Sequence, residues 1–169
     1  QERLEQERDL DLAYSIDDWR FRINIHYQRG ALGLAARLIP KKIPESAELG
    51  FTDTIYNLTK LNSGLVLVTG PSGSGKSTTL AAMIEIINKE RHAHIITIED
   101  PVEFIYTDAQ SLIEQREVGV DTPSFAGALK YVLRQDPNVI LLLVDEEPPG
   151  NRHQQSSTVT RFPVVPHAA

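Results

Sequence analysis

The run Gly70-Pro71-Ser72-Gly73-Ser74-Gly75-Lys76-Ser77-Thr78 constrains this chain more than any other stretch. It satisfies G-x-x-x-x-G-K-[ST], and its flanks give that spacing meaning: Leu-Val-Leu-Val at 65–68 reads as a buried strand, and residues 77–88 read as a helix. Strand, glycine-rich turn and helix in that order form a cradle for phosphate. Glycines at 70, 73 and 75 let the backbone turn tightly and bring bare N–H groups against an anion, where the dipole of the following helix adds attraction. Lys76 would reach the β- and γ-phosphates as a point charge, and the Ser77 hydroxyl would complete the shell of a Mg²⁺ ion. A nucleoside triphosphate with Mg²⁺ is therefore the expected ligand.

Size and charge narrow what surrounds that loop. At 169 residues with 41% apolar side chains, the chain fits one domain plus part of another and can build a core. Its longest apolar runs, 65–68 and 139–144, are too short to span a bilayer, and no basic-then-apolar leader opens it, so no membrane insertion is expected. Cysteine is absent, which excludes disulfides, thiolate chemistry and Cys-ligated zinc; the triphosphate loop argues for the cytoplasm. A net charge of −6 counts against broad binding to nucleic acid, which needs a basic face. The five histidines show no metal-ligand spacing and are read as structural or exposed. The first residue, Gln1, falls inside a charged run, so the chain reads as an excerpt.

Residues 1–11 are charge-rich and predict a solvated helix or frayed lead-in. From Arg20 to Tyr27 the pattern alternates: Phe21, Ile23, Ile25 and Tyr27 against Arg20, Arg22, Asn24 and His26, a half-buried strand with a partly basic face. On periodicity alone Arg20 and Arg22 are solvent-facing. Gln28-Arg29-Gly30 makes a turn, residues 31–40 carry another short apolar element, and residues 44–61 read as a linker with short helices near 46–49 and 52–59. Beyond residue 62 strands and helices alternate, the α/β signature. The apolar run at 65–68 predicts a parallel strand covered on both faces. Leu80, Ile84 and Ile87 form the stripe of the helix after the loop, and Phe125, Leu129, Val132 and Leu133 the inward face of a helix after Ser124 that Asp136-Pro137 ends.

Two strands end in acids. Residues 95–98, Ile-Ile-Thr-Ile, run into Glu99-Asp100-Pro101, with Glu103 close behind, and residues 139–144 run into Asp145-Glu146-Glu147. Carboxylates at the C-terminal end of a parallel strand lie on the ligand edge of such a sheet. An apolar strand followed by an acid is also the general form of a metal-ordering Walker B element. Any one of these acids alone is better read as a helix cap or solvated loop. Two clusters downstream of one phosphate loop carry more weight.

These stretches, 64–83, 94–104 and Gln115-Arg116-Glu117-Val118-Gly119 followed by Asp121-Thr122, resemble the type IV pilus retraction ATPases of the type II/IV secretion ATPase superfamily. The Gln-Arg-Glu-Val-Gly segment and Ser124-Phe125-Ala126 favour the retraction type, and the similarity runs from about Asp9 to Ile140. The resemblance implies an ATPase that drives pilus disassembly in twitching motility. Its P-loop NTPase core would be a RecA-like parallel sheet over 62–147, incomplete here and preceded at 1–43 by part of a smaller α+β PAS-like domain. It further implies a hexameric ring with ATP between domains, partners in the inner-membrane pilus machinery, and Arg22 and Arg29 near the nucleotide phosphates, revising the solvent-facing reading of Arg22. Glu103 matches the acid proposed to activate water, with Glu99 and Asp100 completing an Asp box.

After Ile140 the chain departs from that pattern. Glu146 can be laid on the Walker B glutamate, but the Met-Arg-Asp expected after it and the later His box are absent, and residues 148–169 form a Pro/Ser/Gln-rich tail without strand or helix periodicity, expected to be disordered. A reading-frame shift near Leu142 accounts for this, and would leave an unpaired sheet edge. Two alternatives stand beside the motor: a nucleotide-binding but catalytically dead truncation, and a RecA-like nucleic-acid translocase, the latter disfavoured by the acidic balance.

Overall fold

The computed structural model describes residues 2–17, 19–39, 42–71, 73–144 and 156–162, with backbone only at 2, 3 and 156–162. They divide into two compact units, Gln1–Lys42 and Ile43–Ala169.

The first unit is a helix followed by an antiparallel meander. Helix α1 (Glu2–Glu7) ends where Arg8 turns left-handed, and β1 (Asp9–Ile16), β2 (Trp19–Gln28) and β3 (Ala31–Ile39) follow in spatial order. The charged lead-in is thus a helix only to Glu7. Arg29 and Gly30, with φ of 52° and 82°, close the β2–β3 hairpin, since successive left-handed residues match strand twist. The alternation at 20–27 does form a strand, yet both of its faces are half-buried, Arg22 as much as Phe21. Asn24 and His26 are partnered there: the Asn24 amide donates to Asp11 Oδ1 at 3.2 Å, and His26 Nδ1 bonds Asn24 Oδ1 at 2.9 Å.

The second unit is α/β. Its elements are α2 (Asp53–Thr59), β4 (Gly64–Gly70), α3 (Lys76–Glu90), β5 (His94–Glu99), β6 (Leu112–Glu117), α4 (Phe125–Val132), β7 (Val139–Leu143) and β8 (Ser156–Phe162), with strand order β4-β8-β7-β5-β6. Strand β5 pairs in parallel with both β6 and β7, while β8 is antiparallel to both β7 and β4. Two reversals cancel, so β4 runs in the same direction as β5, β6 and β7. Their carboxyl ends therefore share one edge of the sheet, the edge on which α/β proteins bind ligands.

Two cores flank the sheet. On one face Leu80, Met83, Ile84 and Ile87 of α3 pack on Val66, Ile95, Val139 and Leu141; on the other Ala128 and Val132 of α4 pack on Ile96, Ile98 and Ile140. Each fully buried isoleucine contributes about 1.5–3 kcal/mol by leaving water. Helix α3 is buried over more than its expected stripe, because Ala81, Ala82 and Asn88 are enclosed as well. The 44–61 segment is less linker than anticipated: Phe51, Ile55 and Leu58 pack on the α3 core, and Arg91 Nη1 donates to the carbonyls of Thr59 and Leu61 at 2.9 and 3.1 Å.

Several expectations need correction. Strand β4 is covered on one face only: Val66 is buried, but Leu65 and Leu67 are 58% and 57% exposed, because α4 reaches only β5 and β7 on that side. Strand β6 was not anticipated at all; its Leu-Ile-Glu-Gln-Arg-Glu sequence is too polar to signal a strand, as suits the sheet's edge. Helix α4 ends at Val132 rather than at Asp136, which leaves Leu133 47% exposed in the cap. The tail carries no strand periodicity in its sequence and is expected to be disordered, yet residues 156–162 form β8 between β7 and β4. Thr158, Val159, Thr160 and Phe162 are strand-favouring types, and the backbone groups of β4 and β7 supply the ladders. The flank of β7 that was expected to be an open edge is therefore paired. Asp145, Glu146, Glu147 and the rest of the tail, 148–155 and 163–169, lie outside the described residues.

Candidate functional site

The phosphate loop joins β4 to α3 at the carboxyl edge. Gly73 and Gly75 have φ of 76° and 90°, values that side chains tolerate poorly, and Gly75 is the N-cap of the 15-residue helix α3. The turn is tightened by Ser74 N–H donating to the Pro71 carbonyl at 3.2 Å, and Thr79 N–H donating to the Gly75 carbonyl at 2.8 Å starts the helical ladder. Gly70 matters for a different reason: a Cβ there would sit 2.8 Å from Ser74 Oγ, so the Ser74 hydroxyl would have to turn away. Lys76 is only 7% exposed, with its ammonium held 3.1 Å from the Pro71 carbonyl. A buried ammonium on its own loop is a cation stored beside an array of N–H donors. Ser77 and Thr78 are half-buried in the first turn of α3, and Ser72 lies outside the described residues.

The second cluster grows from the pairing of β5 with β6. Thr97 faces Gln115 and Glu99 faces Glu117 across the parallel ladder. Paired residues in a sheet share a face, and Ile95 and Ile113, two positions earlier on the same strands, pack into the α3 core. Thr97, Glu99, Gln115 and Glu117 are therefore on the α3 face, where an apolar core turns polar at the carboxyl edge.

Glu99 is 3% exposed and fully engaged. Its Oε1 accepts from Thr97 Oγ1 at 2.6 Å and from Gln115 Nε2 at 3.2 Å, and its Oε2 accepts from the Glu103 N–H at 3.4 Å. Burial pushes its carboxyl pKa up; those three donors pull it back, and the charge of Glu103 adds a smaller upward push. Tyr106 is raised well above the ordinary phenol value, by burial first and then by the charges of Glu99, Glu85 and Glu103. Glu103 is half-buried, whereas Asp100, after which the peptide to Pro101 is cis, is exposed. A desolvated carboxyl beside a second acid, on the edge that carries the phosphate loop, suits proton transfer during attack on a phosphoryl group.

The two arginines belong to the other unit. Arg22 sits on β2 and Arg29 at an exposed hairpin tip, both in the separate unit Gln1–Lys42. Sequence reasoning missed Thr97, Gln115 and Glu117 as site residues. Their signal was the period of two in Ile113, Gln115 and Glu117, which only acquires meaning once β6 is paired to β5.

Comparison with known proteins assigns this architecture. The family model described as type II/IV secretion system protein matches residues 2–143. The chain belongs to the type II/IV secretion system protein family. It is 47% identical over 123 residues to the type IV pilus retraction ATPase PilT of Pseudomonas aeruginosa, covering 73% of this chain and 36% of that one. It is 44% identical over 139 residues to the twitching motility protein of Neisseria gonorrhoeae, covering 82% and 37%. The crystal structure of the pilus retraction motor PilT with bound ADP superposes with a TM-score of 0.81 at 48% identity, over 83% of this chain and 41% of that one. The chain thus spans roughly two fifths of the length of these members of the secretion family.

The match begins before Asp9 and ends at Leu143, so it takes in α1 and all of β7. The α/β unit is the RecA-like P-loop fold of the family's ATPases. Among the described residues no helix is long and apolar enough to cross a membrane, and no group of three or more acidic, histidine or cysteine side chains could hold a metal ion.

Proposed function

We propose that this chain carries the ATP-binding part of a type IV pilus retraction motor, hydrolysing ATP to drive pilus disassembly. The observation that carries this reading is the loop at the start of α3: left-handed Gly73 and Gly75, a buried Lys76 and the Ser77 hydroxyl, on the same sheet edge as Glu99 and Glu103. The N–H groups of residues 73–78 would bind the phosphates and Lys76 would neutralise them, while Ser77 would supply the single protein oxygen that a phosphate-bound Mg²⁺ needs. That donor set fits Mg²⁺, which keeps its waters and takes few protein ligands. Bound there, the ion offsets phosphate charge.

Within this reading Glu103 takes the proton of the attacking water, Glu99 and Asp100 shape the acidic edge, and Arg22 and Arg29 of the PAS-like part approach the phosphates in an assembled hexameric ring. Such a motor works in the cytoplasm against the inner-membrane pilus machinery, with no call on nucleic acid. The 44–61 segment links its two parts. Mg²⁺-dependent phosphate release that Lys76→Ala abolishes supports the motor. Phosphate release that survives Lys76→Ala overturns it.

A second reading has its own support. The family match stops at Leu143, and Met-Arg-Asp does not follow Glu146. A chain that binds nucleotide without turning it over fits that break. ADP binding with no phosphate release selects it.

A further inference from the structure

The motor reading uses Glu99 and Glu103 but leaves unexplained why β6, a polar edge strand, spends two inward positions on Gln115 and Glu117. We propose that Gln115 is the positioning residue of the acidic box, its carboxamide joining the Glu99 carboxylate to the 102–106 segment that carries Glu103. The proposal rests on the reading of those acids as part of a phosphoryl-transfer site.

Every polar group of the Gln115 side chain is used for it. Nε2 donates to Glu99 Oε1 at 3.2 Å and to the Phe104 carbonyl at 2.8 Å, and Oε1 accepts from the Tyr106 N–H at 3.0 Å. Two positions along the same strand, Glu117 Oε2 accepts from the Val102 N–H at 3.1 Å. Residues 102, 104 and 106 are thus tied to β6 at alternate positions, as a neighbouring strand would be, but through side chains rather than backbone. The intervening residue, Glu103, returns its N–H to Glu99 Oε2. Glu99 is consequently held through both oxygens, one by β6 and Thr97, the other by the segment that Gln115 pins.

No other side chain performs this task. The site demands two donors and one acceptor in a plane at the reach of a three-carbon stem, and only an amide offers both. A glutamate has no donor when ionised. The reverse orientation of the amide would set its oxygen against the Glu99 carboxylate and the Phe104 carbonyl, so the observed one is dictated by its partners. The groups that face Glu99 are Thr97 on its own strand, Gln115 and Glu117 on β6, Glu103 and Tyr106 on the connecting segment, with Glu85 of α3 acting on Tyr106. Gln115 is the neutral donor that moderates this acidic set, and through it the ionisation of Glu99 is coupled to the placement of Glu103.

The test is a carboxyl-carbon NMR titration of the full chain, with Glu99 assigned by its loss in Glu99→Gln, together with amide exchange at Tyr106, Val102 and Ile96. Gln115→Leu removes a donor to the ionised form, so the Glu99 midpoint should rise by about one pH unit or more. Exchange at Tyr106 should accelerate by about tenfold or more while buried Ile96 is unchanged. Gln115→Glu keeps the shape and covers the case in which the leucine variant does not fold; it should shift the midpoint the same way, now by charge repulsion as well. An unmoved Glu99 midpoint and unchanged Tyr106 exchange in a folded variant overturn the proposal. Failure of the wild-type chain to bind ADP is a separate result: it overturns the nucleotide reading, and none of these readouts depends on it.

Discussion

Gly75→Ala isolates what the phosphate loop owes to backbone conformation alone. Gly75 has φ 90° and ψ 14°, and a Cβ built on it meets nothing within 4 Å, so the substitution adds strain without a clash. Left-handed backbone costs an L-residue about 1–2 kcal/mol. The protein can accept that cost or relax the turn. With nothing packed against the new methyl group the turn relaxes, swinging the N–H groups ahead of α3 away from a common centre until binding restores it, so nucleotide affinity should fall by about five- to thirtyfold, the equivalent of that 1–2 kcal/mol. Gly119→Ala is the matched control: its φ is 83°, it is equally free of neighbours, and it follows β6 rather than lying in the loop. Urea unfolding should show a similar stability loss in both variants, and calorimetric titration with ADP should show weakened binding only in Gly75→Ala. Unchanged ADP affinity in Gly75→Ala, or an equal loss in Gly119→Ala, refutes the reasoning.

Further outcomes follow from buried polar groups and from the sheet. Burial raises the folded pKa of Glu99, so the folded state holds a proton that the unfolded chain releases from about 4.5 upward. Stability therefore falls as pH rises from there through the raised folded value, by about 1.4 kcal/mol per unit of the raise, and stays lower above it. Glu99→Gln should flatten that slope and stabilise the chain at neutral pH, measured by urea unfolding across that window. Asn88 is completely buried, donating to the Thr107 carbonyl at 2.8 Å and accepting from the Ala109 N–H at 3.1 Å, so Asn88→Ala should cost about 2 kcal/mol or more in the same assay. Val159→Pro removes an N–H from a strand paired on both sides, to Leu67 and Leu142, and should speed amide exchange in both β4 and β7.

The strand, turn and helix around Gly70–Thr78 were legible because their signal is local: nine consecutive residues carry the glycines, the lysine and the hydroxyl, and Leu65–Val68 and Leu80–Ile87 announce the strand and helix on either side. Strand β5 was legible for a similar reason, since a central strand must be apolar on both faces. The same logic misled at β4, where an equally apolar run lies beyond the reach of α4 and leaves Leu65 and Leu67 exposed. Gln115 and Glu117 were visible only as a family signature. Their work depends on which strand pairs with β5 and in what register, and six residues at a sheet edge, four of them polar, do not encode that locally. Strand β8 was hidden differently, because seven residues inside a Pro- and Ser-rich tail become a strand only where two other strands offer open ladders. Arg22 needed the resemblance even to be considered.

The central claim, that the loop from Gly70 to Thr78 is a working phosphate cradle, is tested most directly by titrating ADP with Mg²⁺ into the wild-type chain and into Lys76→Ala. Saturable one-to-one binding by the wild type, lost in Lys76→Ala while urea unfolding shows the sheet intact, is the predicted result. A folded wild-type chain that binds no ADP, or a Lys76→Ala chain that binds it equally well, would contradict the claim.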